Sequence, residues 1–149
     1  MSSEEKQQKK RDPNNPCLFC TDPKGVSLTN ELAYSARDTY AVSPGHSVVV
    51  PKRHVASFFD LTPDEVTACM EMIKEEKRLI DAEFKPDGYN IGVNVGPAAG
   101  QSIYHVHIHI SPLPGGCGKS PGWGAACDTK EGVLQALDCD YDVGLRGRG

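Results

Sequence analysis

The sequence contains no apolar run approaching the roughly 20 residues that a helix needs to cross a bilayer, which excludes a helical membrane protein. It has no excess of positive charge: 16 basic against 20 acidic residues give a net charge of -4. That is the wrong balance for a general nucleic-acid binder with a basic surface, and it leaves small anionic ligands open. No hydrophobic stretch follows the charged opening MSSEEKQQKKRDPNN, so those residues do not read as a secretory signal, and an intracellular setting is expected. No internal repeat is visible. What is present is ordinary globular composition, with 38% apolar residues in 149, enough for one domain with a single core. Six cysteines in such a chain need no disulfide framework, so metal binding or free thiols are expected.

Residues 1–15 are polar and charged and read as a solvated tail, so the domain is expected to start near Pro16. At the other end, residues 112–149 hold most of the glycines and read as an irregular segment of unassigned role. Between them, β-branched and alternating runs predict strands over Leu32–Ala36, Thr39–Val42, His46–Val50, Tyr89–Val95 and Ile103–Ser111. The Ser43-Pro44-Gly45 turn joins two strands close in sequence, which implies an antiparallel hairpin. Thr62-Pro63-Asp64-Glu65 supplies an N-cap, a first-turn proline and a capping-box glutamate, predicting a helix to about Phe84. Val66, Cys69, Met70, Ile73, Ile80 and Phe84 should form its buried face, with Cys69 a core residue. The run Glu75 to Arg78 should be solvated.

Residues 104–110 alternate strictly between apolar side chains and histidine, and period two means a strand. Tyr104, Val106, Ile108 and Ile110 should face the core, with His105, His107 and His109 on the other side. Three histidines in register have no packing rationale. A single ion held by all three is disfavoured, because the outer Cα atoms of such a strand lie about 13 Å apart. Phosphate chemistry remains: a neutral imidazole attacks phosphorus while a neighbour donates to oxygens or leaving group. Gly100 permits close backbone approach, and Gln101 and Ser102 bring an amide and a hydroxyl.

Residues 100–110 resemble the signature of the histidine triad (HIT) superfamily. The likeness extends through Asn94-Val95-Gly96 and from Ser43-Pro44-Gly45-His46 to Val50-Pro51-Lys52-Arg53-His54, and so covers about Pro16 to Ser111. It is nearest to the Hint-like and bacterial HIT-like branches. The resemblance implies an α+β fold: a mainly antiparallel sheet with one long helix and a shorter one packed on it, in a homodimer. It also implies nucleotidyl transfer or hydrolysis at the α-phosphate of purine nucleotide conjugates of AMP or GMP. His107 would form a covalent nucleotidyl adduct, with His109, Gln101 and Ser102 assisting at the phosphate and leaving group. Asp38 would accept from ribose hydroxyls and Asn94 would contact the phosphate side. No carboxylate cluster for magnesium is evident, so no catalytic metal is expected.

Cys17-Leu18-Phe19-Cys20 alone is weak evidence, since C-x-x-C serves redox pairs as well as zinc. Two thiolates and two imidazoles would complete a tetrahedral zinc site, and the resemblance implies Cys17, Cys20, His54 and His105 as ligands of a structural zinc. His46 reads as a hydrogen-bonding turn residue. Cys117, Cys127 and Cys139 complete no second site, and Trp123 could cover a nucleotide, meet a dimer partner or simply pack. The residues after the triad match no branch, so the leaving-group half of the substrate is undefined. Phosphoramidate hydrolysis is the leading expectation. Dinucleoside polyphosphate hydrolysis is the alternative, and a non-catalytic nucleotide-binding regulator is the rival from another class. Neither nucleic acid nor membrane is an expected partner.

Overall fold

The computed structural model describes residues 17–21, 23–38 and 43–113. The expected tail, the Thr39–Val42 strand, Trp123 and the three later cysteines lie outside them, as does the glycine-rich segment beyond Leu113. A short helix α1 (Leu18–Thr21) precedes β1 (Val26–Thr29), β2 (Ala33–Arg37) and β3 (Ser47–Pro51). The long helix α2 (Pro63–Phe84) follows, then β4 (Gly88–Val93) and β5 (Ile108–Leu113). The strands form one sheet in the order β1-β2-β3-β5-β4, with every neighbouring pair antiparallel.

The start of α2 follows directly from its sequence. Thr62 Oγ1 accepts from the Glu65 amide at 3.2 Å, and the Glu65 carboxylate accepts from the Thr62 amide at 2.9 Å, closing the capping box over a first-turn proline. The helix then packs on β1, β2, β3 and β5. Its buried line is Glu65, Ala68, Cys69, Met72, Glu76 and Ile80, rotated from the expected face. Val66 and Met70 remain 44% and 47% exposed, and Glu76, expected in water, is fully buried.

The reason is a polar seam inside the interface. Ser35 Oγ donates to Glu76 Oε2 at 2.8 Å, Ser47 Oγ lies 3.2 Å from Oε1, and Arg37 Nε lies 3.3 Å from Oε1. A buried carboxylate is tolerable with such partners. Apolar periodicity could not reveal this, because the serines that satisfy Glu76 come from two distant strands.

Alternation along the strands divides the core in two. Ala33, Val49, Ile108 and Ile110 pack with Ala68, Cys69, Met72 and Ile80 on the helix side. Tyr34, Ala36, Val48 and Val50 form the opposite face, with Phe19 against them. Val48 pairs with His109 in the ladder, so the histidine face is the one turned away from α2. Gly45, at the turn before β3, has φ +86°, and a Cβ there would stand 2.8 Å from the Phe84 ring. Only glycine lets this hairpin close against the end of α2.

Two strand expectations need correction. β1 was not anticipated: its residues Val26, Ser27 and Thr29 are exposed, so the strand has little apolar pattern. The last strand begins at Ile108 rather than Ile103, and runs through Pro112 to Leu113 instead of stopping at Ser111. The ladder partners decide this. Ile108 pairs with both Val49 and Val93, where β3 and β4 lie alongside, and Gly88 pairs with Leu113.

Candidate active site and metal centre

All five histidines of the chain lie along one row of rings. His54 and His105 are 5.1 Å apart by centroid, Phe19 bridges His105 and His107 at 5.8 and 5.1 Å, His107 and His109 are 5.0 Å apart, and His109 meets His46 at 5.3 Å. The triad histidines are nearly inaccessible to water. Phe19 owes its place to α1, where Tyr34 donates from its hydroxyl to the Phe19 carbonyl at 2.8 Å.

At one end of the row, Cys17, Cys20, His54 and His105 converge. His105 Nδ1 lies 3.5 Å from Cys17 Sγ, 3.4 Å from Cys20 Sγ and 3.2 Å from His54 Nδ1, while Cys20 Sγ lies 3.3 Å from His54 Nδ1. Ligands about 2.3 Å (sulfur) and 2.0–2.1 Å (nitrogen) from a tetrahedral ion stand about 3.4–3.7 Å apart, so these four atoms fit the edges of one coordination shell. His105 donates from Nε2 to the Pro51 carbonyl at 2.7 Å, which turns Nδ1 toward the thiols. Burial holds the His105 imidazole neutral, with its pKa pulled down to about 4. Burial and the adjacent Cys17 thiol push Cys20 up to about 11. Two thiols this close resist ionising together unless a cation joins them.

In the middle, His107 Nδ1 lies 2.8 Å from the carbonyl of His105. A carbonyl only accepts, so Nδ1 carries the proton and the lone pair resides on Nε2, the tautomer that a nitrogen nucleophile requires.

At the far end, His109 Nδ1 is 3.1 Å from His46 Nε2, and Asp38 Oδ2 is 3.5 Å from His46 Nε2 and 3.7 Å from His109 Nδ1. His46 does take part in the turn, its amide donating to the Ser43 carbonyl at 3.0 Å. Its buried ring also joins the triad row, a contact that sequence reasoning did not anticipate. The signal was its phase: His46, Val48 and Val50 alternate onto one face.

The loop before the triad is held by side chains. Glycines at φ 84° and 85°, Gly96 and Gly100, bracket a 3₁₀ turn at Pro97–Ala99. Gln101 Oε1 accepts from the Gly96 amide at 2.8 Å, and its Nε2 donates to the Ala56 and Ile103 carbonyls at 2.8 and 3.1 Å. Asn94 Nδ2 donates to the Ala99 carbonyl. Both amides therefore grip the loop itself, and Ser102, half-buried, follows at its exit.

An antiparallel α+β domain with alternating histidines buried on the sheet face turned away from the long helix defines the class. The HIT domain family model matches residues 21–115, more than half of the chain, and the chain belongs to the HIT family. It is 35% identical over 118 residues to the AP-4-A phosphorylase of Mycobacterium tuberculosis strain H37Rv, covering 72% of this chain and 60% of that protein. A HIT family protein of Bacillus anthracis superposes with a TM-score of 0.65 at 27% identity, covering 91% of this chain and 98% of that one. A zinc-bound histidine triad family protein of Mycobacterium smegmatis shares the fold with a TM-score of 0.63 at 24% identity, covering 89% and 97%. Members of this family include nucleotide hydrolases. Among the described residues, no helix is long and apolar enough to cross a membrane.

Proposed function

We propose that the protein is a nucleotide hydrolase or transferase that works at the α-phosphate of purine nucleotide conjugates through a covalent adduct on His107. The observation that carries this reading is the 2.8 Å contact of His107 Nδ1 with the His105 carbonyl, which leaves Nε2 as the attacking atom. In the first step Nε2 forms a bond to phosphorus while the bond from phosphorus to the leaving amine or phosphate breaks, and His109 supplies the leaving group with a proton. In the second, water attacks phosphorus and passes a proton back to His109, the nitrogen–phosphorus bond breaks, and nucleoside monophosphate departs. Ser102 and local amides donate to the phosphoryl oxygens, and Asp38 accepts from the ribose hydroxyls. Gln101 and Asn94 serve by positioning the 96–102 loop.

In the same reading, zinc occupies Cys17, Cys20, His54 and His105 as a structural ion. It ties α1 to the residue two positions before the nucleophile and takes no part in the bond changes. A domain from about Pro16 through β5, an intracellular setting read from the charged N-terminus, and the homodimer that the family resemblance implies complete the proposal.

The test is turnover of adenosine 5′-phosphoramidate and a diadenosine polyphosphate, side by side, by wild type and His107→Asn. The expected result is rapid phosphoramidate cleavage that falls by at least about 10³-fold in the variant, with nucleotide affinity retained. The relative named AP-4-A phosphorylase favours the dinucleotide as a second reading, and a preference for that substrate would promote it. Cleavage of neither substrate would leave a nucleotide-binding regulator as the better account.

A further inference from the structure

We infer that Asp38, His46 and His109 form a second divalent-metal site, for a zinc-like ion, at the opposite end of the histidine row from the thiols. Asp38 Oδ2, His46 Nε2 and His109 Nδ1 are mutually 3.1, 3.5 and 3.7 Å apart. Two oxygen or nitrogen ligands about 2.0–2.1 Å from a tetrahedral ion are separated by about 3.4 Å. The three separations scatter around that edge length, and the thiol-containing cluster in the same molecule shows nearly the same spacing, from 3.2 to 3.5 Å. The two contacts to Asp38 are long for hydrogen bonds, whereas they suit ligands meeting through an ion.

The donor set also has the right chemistry. Two imidazoles and one carboxylate select borderline ions such as zinc over magnesium or calcium. The rings are held in place from both sides: His46 sits at the entry to β3 after the Gly45 turn, and His109 is locked in the β5 ladder between Val48 and Gly92. Both rings are about 95% shielded, while the Asp38 side chain retains 16% exposure, which leaves an approach from that side. Three protein ligands leave a fourth position for water or another oxygen ligand.

The site differs from the thiol centre in being open and in carrying one negative charge instead of two, so it should hold its ion more weakly and reversibly. Its effect on turnover rests on the catalytic reading above: an ion here engages Asp38 and His109 together and should inhibit in competition with nucleotide. Binding itself does not depend on that reading.

The experiment is calorimetric titration of zinc chloride, in phosphate-free buffer, into protein that metal analysis shows to carry one zinc per chain. Wild type should take up a second equivalent, and His46→Gln and Asp38→Asn should each weaken it by at least about tenfold. Cobalt in place of zinc should give visible ligand-field bands for the second equivalent without a thiolate charge-transfer band. Uptake that stops at one equivalent, or a second equivalent unchanged in both variants, overturns the site. Should His46→Gln fail to fold, the more exposed Asp38→Asn decides. A second equivalent that leaves turnover untouched would retain the site and count against the assigned roles of Asp38 and His109.

Discussion

His105 and His109 stand four residues apart in one segment, both buried, and each presents Nδ1 to another histidine at 3.2 and 3.1 Å respectively. What differs is the company brought by other elements. Around His105, α1 and the residue just before it deliver two thiols; around His109, the residue just after β2 delivers one carboxylate. Two thiolates and two imidazoles close a tetrahedron and neutralise a dication, whereas one carboxylate and two imidazoles leave both charge and coordination incomplete. The same residue type in the same pattern thus suits a closed structural centre at one end and an open, ligand-exchanging one at the other.

Helix α2 supports both ends with buried glutamates. Glu76 binds Ser47 and Arg37, the residues adjoining His46 and Asp38. Glu65 receives two hydrogen bonds from Arg53, at 3.1 and 2.7 Å, and Arg53 adjoins His54. One helix therefore clamps β3 at its start and just beyond its end, setting the spacing between the two clusters.

The largest effect should come from breaking the closed end. Cys20→Ser is expected to lower stability by about 4 kcal/mol when zinc is in large excess over its dissociation constant, read as a fall in melting temperature that added zinc no longer reverses. If the melting temperature of wild type is insensitive to a chelator, the closed end is not a structural metal centre. Next, Glu76→Ala leaves the buried Ser35 hydroxyl without its acceptor and takes one partner each from Ser47 and Arg37, which keep the Gly45 carbonyl and Glu83, and should cost about 2 kcal/mol in urea unfolding. It should also loosen the Asp38 end more than the thiol end, by amide hydrogen exchange at Asp38 and His46 against His54.

The smallest effect concerns acid. Arg53 and the capping contacts hold the Glu65 carboxyl down to about 2 from 4.5. A depressed carboxylate contributes stability that is present above its unfolded pKa and is lost as pH falls through the folded value. The pair should therefore weaken between pH of about 4.5 and 2. Because Arg53 is half exposed, solvent screening limits the effect to about 1 kcal/mol. Arg53→Met should flatten this part of the acid-unfolding curve, and an unchanged curve would remove Glu65 as the anchor of the closed end.

The legible parts of the fold were those governed by local rules. The capping box of α2, the Ser43-Pro44-Gly45 turn and β3 all depend on residues within a few positions of one another, and they appear where the pattern put them. β1 and the start of the last strand were not legible in this way. An exposed strand has no burial signature, and Ile103–His107 keeps the alternation of a strand while β3 and β4 lie alongside only from Ile108. The candidate site divides similarly. The histidine triad is a contiguous pattern, and the resemblance it supports also reached the Cys17, Cys20, His54 and His105 set. The Phe19 contact with His107 and the inclusion of His46 both depend on pairings across the sheet.

By itself, the sequence determined the family, the long helix and the row of alternating histidines, because periodicity, capping and motif spacing are properties of neighbours along the chain. Only the tertiary structure decided which donors meet around each imidazole, which nitrogen of His107 and His105 carries its proton, and that Glu76 lies inside. Those outcomes depend on distances of 3 to 4 Å between elements far apart in the chain, and there the gain from pairing outweighs the local preference of a charged side chain for water.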